Sequence, residues 1–236
     1  MRIDVLTLFP EAMSPFTNAS IIARAQRSGI VDIRYTNIRD FATDRHRSVD
    51  DRPFGGGPGM VMMCQPVFDA VAKVEREGTE QGGLVSGPTR ILLSPQGERF
   101  TQAVARELAS QPWLMMICGH YEGFDERIRE GLKPREFSIG DYVLSGGEAA
   151  AMVMTDEVVR LLPGAVGDEE SVEDESFSHG LLEYPQYTRP REYEGRAVPD
   201  VLLSGDHAVI RQWRHDESVR RTRERRPDML GEQPNE

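Results

Sequence analysis

Ser138-Ile139-Gly140-Asp141-Tyr142-Val143-Leu144-Ser145-Gly146-Gly147-Glu148 places three glycines around an apolar run and ends at the start of a helix. Glycine lets a ligand approach the main chain closely, so this composition suggests a pocket lined by backbone donors and acceptors, a surface that suits adenine. Ser145 and Glu148 have the spacing of a capping box, with the hydroxyl taking a free amide of the new helix and the carboxylate reaching back. The helix should run from Glu148 to about Leu162, where Pro163-Gly164 stops it. Two other glycine loops, Ser94-Pro95-Gln96-Gly97 and Cys118-Gly119-His120-Tyr121-Glu122-Gly123, follow or interrupt strand-like runs, and the three should converge on one site. The sequence contains neither G-x-G-x-x-G nor G-x-x-x-x-G-K-[ST], so dinucleotide and P-loop readings lack their fingerprints. Cys64 and Cys118 sit in apolar runs with no second ligand at metal spacing, as expected of reduced core thiols, and His46, His179, His207 and His215 show no metal spacing either; no zinc site is expected.

These loops need a scaffold, and the first 160 or so residues alternate between strand-like and helix-like runs. Strands are expected over Ile3 to Leu8, Val31 to Ile38, Arg90 to Leu93 and Trp113 to Cys118. Helices are expected over Ile21 to Arg27, Gln65 to Arg76, Thr101 to Ala109 and Asp125 to Leu132. Such alternation implies an α/β fold with a parallel sheet covered by helices. From Leu161 to about Gly180 the chain is acidic, carries glycine and serine, and lacks an apolar period, which reads as a linker. The organisation expected is an α/β domain over 1–162, a linker over 163–180 and a small helical domain over 181–236, with helices from about His207 to His215 and Glu217 to Arg226.

A hydrophobic content of 39% suits a globular protein. The N-terminal residues lack the charge and apolar run of a signal segment, and no stretch approaches about 18 uninterrupted apolar residues, so a cytoplasmic protein without membrane contact is expected. The net charge of −11 argues against general binding to nucleic acid. Its distribution argues the other way: Arg211, Arg214, Arg220, Arg221, Arg223, Arg225 and Arg226 cluster near the C-terminus, whereas Asp168 to Glu175 is acidic. Lysine occurs only at positions 73 and 133, and the planar fork of arginine suits phosphate and base edges. A solvated helix face would explain the same arginines.

The loop Ser138–Glu148 resembles the cofactor loop of the bacterial tRNA (guanine-N1)-methyltransferases, the TrmD type among the knotted SPOUT methyltransferases. Four further segments agree in order: Asp50-Asp51-Arg52-Pro53-Phe54-Gly55-Gly56-Gly57-Pro58-Gly59-Met60, the two glycine loops above, and Tyr184-Pro185-Gln186-Tyr187-Thr188-Arg189-Pro190. The resemblance covers nearly the whole chain. It implies a SPOUT-type trefoil-knotted parallel sheet with flanking helices, a helical tRNA-binding C-terminal domain, and a homodimer with shared active sites.

Its implied cofactor is S-adenosyl-L-methionine, held by Ser94, Pro95 and Gly97, by Gly119, Tyr121 and Glu122, and by Ile139, Gly140, Asp141, Tyr142, Val143, Leu144, Gly146 and Gly147. The acidic linker could also take Mg²⁺. The implied substrate is the guanine 3′ of the anticodon in tRNA (position 37 of tRNA), placed against Gly59 with Asp50 and Arg52 flanking. Guanine N1 must lose a proton before it accepts a methyl group, a task for a carboxylate, while an arginine stabilises charge growing toward O6. The resemblance makes Arg160 that arginine. It puts Glu175 at the register of the family's aspartate, with Asp174 one residue earlier, and both remain candidates for the base. His120 stands where many relatives have arginine and is given no catalytic role. Methylation of another RNA atom, such as a ribose 2′-hydroxyl, and a non-catalytic RNA-binding role remain alternatives.

Overall fold

The computed structural model describes residues 1–80, 86–167 and 175–231, and divides the chain into two compact units, Met1–Gly167 and Asp168–Glu236. The first is a five-stranded sheet with strands β1 (Arg2–Thr7), β2 (Asp32–Asn37), β5 (Thr89–Arg99), β6 (Trp113–Ile117) and β7 (Arg135–Ser138), in spatial order β2-β1-β6-β5-β7 and parallel throughout. β3 (Asp50–Asp51) and β4 (Val61–Met62) form a separate short antiparallel ladder.

Every residue of β1 and β6 is buried, as expected of interior strands covered on both faces, whereas β2, at an edge, alternates with exposed positions. The two-residue period splits their side chains between two cores. Ile3, Val5, Leu114 and Met116 pack on one face, and Leu6, Trp113, Met115 and Ile117 on the other. The first core also takes Ile22 and Ala25 of α2 (Ser20–Arg27), Leu108 of α4 (Gln102–Ala109) and Met154 and Val158 of α6 (Glu148–Arg160). The second takes Val67, Val71 and Val74 of α3 (Cys64–Glu80) and Ile128 of α5 (Glu126–Leu132).

Local signals set several boundaries. Gly29 follows α2 at φ 70°, the left-handed position that ends helices cheaply. The Thr101 hydroxyl accepts from the Val104 amide at the start of α4, and the Asp125 carboxylate accepts from the Arg127 amide at the start of α5.

Several elements differ from expectation. Pro10 bounds β1 but also opens a further helix, α1 (Pro10–Thr17), because proline fits the first helical turn. α3 continues past Arg76 through a glycine: a Cβ on Gly78 would lie 2.1 Å from the Trp113 ring, so this glycine permits close packing and does not end the helix. β5 extends to Arg99, with its pairing to β7 shifted between Leu93 and Glu98, where the Ser94–Gly97 loop bulges out. Charged Arg135 and Glu136 hide β7 from a hydrophobic pattern.

The second unit contains a hairpin, β8 (Glu192–Tyr193) with β9 (Arg196–Ala197), turning through Glu194 and Gly195 at φ 51° and 76°. A 3-10 turn (Asp200–Leu203) precedes α7 (His207–Arg225), whose first turn is capped by Asp206 accepting from the amides of Ala208 and Val209. α7 is one helix where two were expected. Nothing between His215 and Glu217 breaks it, and Gln212–Asp216 and Arg220–Glu224 contacts at i,i+4 span the expected gap and its flank. No helix among the described residues is long and apolar enough to cross a membrane.

Candidate active site

The Ser94–Gly97 bulge within β5 and the glycine loops that follow β6 and β7 enclose one cleft. Of the residues assigned to the cofactor, Ser94, Pro95, Gly119, Tyr121, Glu122, Ile139, Gly140, Tyr142, Val143, Leu144, Gly146 and Gly147 line it. Two do not. Asp141 is exposed beside it, and Gly97 supports it from behind: a Cβ there would lie 2.4 Å from the backbone of Glu136 and Phe137, so glycine lets β5 close on β7.

The loops are tied to one another through the main chain. The Gly147 amide donates to the Gly119 carbonyl at 2.8 Å, and Ser138 and Gly140 close a tight turn in which the Gly140 amide donates to the Ser138 hydroxyl at 3.2 Å. Val143 and Leu144 expose apolar side chains beside the cleft, and among the described residues their amides donate no backbone hydrogen bond. Tyr121 stands at φ 60°, in the left-handed region that a tyrosine adopts only when its surroundings impose it. An apolar slot with main-chain donors fits a flat heterocycle.

The capping box expected at Ser145 and Glu148 does not form. The cap is Gly147, without a side-chain bond, and Glu148 turns into the protein, where its Oε1 accepts from the Thr7 hydroxyl at 2.7 Å. The helix begins where the chain meets the end of β1, so the carboxylate is drawn to a buried hydroxyl and away from the cap. Burial, and secondarily this carboxylate, push the Cys118 thiol well above its ordinary pKa.

Sequence reasoning missed some contributors. Gln96, Arg129 and Phe137 also line the cleft, as does His120, whose Nδ1 is buried without a hydrogen-bond partner and whose ring packs between Phe9 and Tyr121. Its position inside the Cys118–Gly123 motif was the available signal.

The glycine-rich excursion between β3 and β4 meets this cleft. Asp50 pairs with Met62 at its neck, the Glu122 amide donates to the Met60 carbonyl, and the Met62 amide donates to the Gly123 carbonyl. A Cβ on Gly59 would lie 2.2 Å from Glu122 Oε1, so Gly59 touches a residue that lines the cleft. Arg52 is exposed on the excursion, and Phe54 is wholly so.

Arg160 lies elsewhere. α6 starts at the cleft, where Gly147 and Ala150 line it, and Arg160 closes its last turn with its Nη1 3.5 Å from Glu157. At about 1.5 Å per residue, twelve steps separate Glu148 from Arg160 by roughly 18 Å, further than an arginine side chain spans. Glu175 is half-buried in the second unit, while Asp174 and the acidic run 168–173 lie outside the described residues. Among the described residues no three His, Cys, Asp or Glu side chains are grouped to hold a metal ion.

The family model for tRNA (guanine-1)-methyltransferase TrmD matches residues 1–232. The chain is 56% identical to the tRNA (guanine-N(1)-)-methyltransferase of Geobacillus kaustophilus over 234 residues, which covers 99% of this chain and 93% of that protein. It is 56% identical over 230 residues to the enzyme of the same name from Moorella thermoacetica, covering 98% and 90%. For Bacillus cereus the identity is 55% over 232 residues, covering 98% and 93%.

Proposed function

The chain belongs to the tRNA (guanine-1)-methyltransferase family TrmD, and from that membership we propose that it methylates N1 of the guanine 3′ of the anticodon in tRNA, with S-adenosyl-L-methionine as donor. The observation that carries this reading is the contact of Gly59 with Glu122, which sets the excursion assigned to guanine directly against the cleft assigned to the cofactor. Methyl transfer in line requires that adjacency.

The chain's residues fit the donor: main-chain groups around Tyr142 to Leu144 suit an adenine ring, and Ser94, Gly119 and Gly147 line the rest of the slot. When bound, S-adenosyl-L-methionine supplies an electrophilic methyl group. The residues of this chain align the acceptor and remove its proton. Gly59 leaves room for a base against the main chain, and Asp50 and Arg52 flank it. The linker carboxylate, Asp174 or Glu175, takes the N1 proton as general base. Arg160 stabilises charge growing at O6. The carboxylates of the acidic linker would suit Mg²⁺, a hard cation that takes oxygen ligands.

The distance along α6, which sets Arg160 at the far end of the helix from its own cleft, supports a homodimer with shared sites in which Arg160 serves the cleft of a second copy. The order β2-β1-β6-β5-β7 supports the trefoil knot: the chain leaves β6, pairs as β7 beyond β5, and returns so that Gly147 bonds to Gly119. The domain organisation 1–162, 163–180 and 181–236 belongs to the same proposal.

Incubation with labelled S-adenosyl-L-methionine and two transcripts, one with guanine and one with adenine 3′ of the anticodon, tests the activity. Mass spectrometry should place methyl on N1 of that guanine alone, and Leu144→Arg should abolish it. Label on a ribose or on the adenine transcript would refute the reading.

A further inference from the structure

Tyr184-Pro185-Gln186-Tyr187-Thr188-Arg189-Pro190 has no part in the methyl transfer derived above. The segment walls a cleft of about 960 Å³ lying wholly within the second unit, closed on the other side by Leu202 and Leu203 of the 3-10 turn and by Ile210 and Arg214 of α7. That volume is near the upper end for sites that enclose a small ligand.

The charge of this cleft is one-sided. Arg189, Arg191 and Arg214 line it, and among the described residues no carboxylate does. Some arginines elsewhere in the unit are neutralised: Arg220 pairs with Glu217 and Glu224, and Arg226 with Asp228. A solvated, self-paired helix face therefore accounts for those arginines but not for the three in the cleft.

Arg214 is also held in place before any ligand arrives. Its guanidinium lies over the Tyr184 ring, 4.7 Å from the centroid, and its Nε is buried without a hydrogen-bond partner. A stacked guanidinium keeps its remaining donors in a fixed fork, suited to a phosphate or the edge of a base. Tyr187 is 48% exposed and stands 6.5 Å from Trp213 between ring centroids, which leaves an aromatic face open to stacking. Cationic donors alone would suit any anion. Combined with open aromatic and aliphatic walls they suit a group that is both flat and phosphorylated.

We propose that this cleft is a nucleotide subsite, taking one unpaired nucleotide of tRNA other than the methylated guanine, its base on the aromatic wall and its phosphate on the arginines. The inference rests on tRNA being the substrate. It adds a contact that grips the RNA through a single unstacked residue and not through a duplex.

Trp213 supplies the readout. A 5′-phosphorylated trinucleotide should quench the tryptophan fluorescence of the full-length protein saturably, a short blunt RNA duplex should not, and the quench should vanish in Trp213→Phe. Arg214→Gln and Tyr187→Ala, each confirmed to melt with the wild-type profile, should weaken trinucleotide binding and raise KM for tRNA about tenfold, the scale of one lost stacked base. The loss should fall on KM and leave S-adenosylhomocysteine affinity unchanged. Arg214→Lys, which keeps charge but loses the fork, should fall between. Equal quenching by the duplex, or by an acidic peptide, would overturn the subsite, as would unchanged KM in both variants while N1 methylation persists. Trinucleotide binding lost in Arg214→Gln, in a protein that methylates no tRNA, would instead uphold the subsite and sink the proposed activity.

Discussion

Substituting Gly147 with alanine probes whether the loops must touch to form the cleft. The new Cβ would lie 2.8 Å from Cys118 Cα, 3.1 Å from the Gly119 nitrogen and 3.2 Å from Cys118 Cβ. Two of these neighbours are backbone atoms at the end of a fully buried strand, so they cannot swing aside as a side-chain tip would. Reaching an ordinary contact of 3.4 Å needs a shift of about 0.6 Å, which would stretch the 2.8 Å bond from the Gly147 amide to the Gly119 carbonyl to the edge of hydrogen bonding. Losing that bond costs about 1 kcal/mol, and overpacking a close-fitted site adds roughly 1–3 kcal/mol. A total of about 2–4 kcal/mol should lower the melting temperature by roughly 4–16 °C in a chain of this size. S-adenosylhomocysteine binding, measured by calorimetry, should weaken at least about tenfold, since the shift parts two of the three loops. Gly167→Ala, where a Cβ meets open space, is the control and should change neither quantity. A Gly147→Ala protein with wild-type melting and wild-type S-adenosylhomocysteine affinity would refute the close-approach argument.

Thr7→Val should cost about 1–3 kcal/mol in urea denaturation, because it leaves the buried Glu148 carboxylate without the hydroxyl that now donates to it. The side-chain bond from Arg127 holds the Asp125 carboxyl far below the usual carboxylate range. A depressed folded pKa contributes stability that is present above the unfolded value and lost as pH falls toward the folded one. Asp125→Ala should therefore cost about 1 kcal/mol at pH 7, where the charged cap is intact, and the gap from wild type should narrow between about pH 5 and pH 3. Equal gaps at both ends of that window would contradict the assignment. Burial, with Asp125 adding to it, raises the Cys64 thiol, and burial raises Cys118 further, so maleimide should label the native protein slowly at pH 7 and leave Cys118 unlabelled until unfolding.

Much of the sheet was legible because its interior strands are continuous apolar runs: β1 and β6 fall within a residue of expectation. Elements were missed where one residue serves a purpose that a local rule does not anticipate. α3 passes beyond Arg76 through Gly78, which lies against the Trp113 ring, Pro10 opens α1, and α7 runs unbroken across the expected gap at Asp216. The cleft was legible through its glycines, whose value lies in close approach between segments far apart in sequence. The inward turn of Glu148 was not, because Ser145 and Glu148 carry the spacing of a cap and only the position of Thr7 at the end of β1 decides against it. Asp141 is exposed between residues that line the cleft, and spacing does not tell which side of a loop faces it. The arginines near the C-terminus looked alike in sequence. The structure separates those paired with carboxylates from Arg214, stacked on Tyr184.

The central claim is that the cleft of one chain is completed by Arg160 of another, and complementation between two inactive variants tests it most directly. Leu144→Arg, at an exposed position in the cleft, and Arg160→Ala, at the far end of α6, should each be inactive as homodimers. A purified heterodimer with one variant in each chain contains one site in which both residues are intact, provided that Arg160 reaches across, and should recover about half the wild-type rate per dimer. A heterodimer as inactive as its parents would contradict the account.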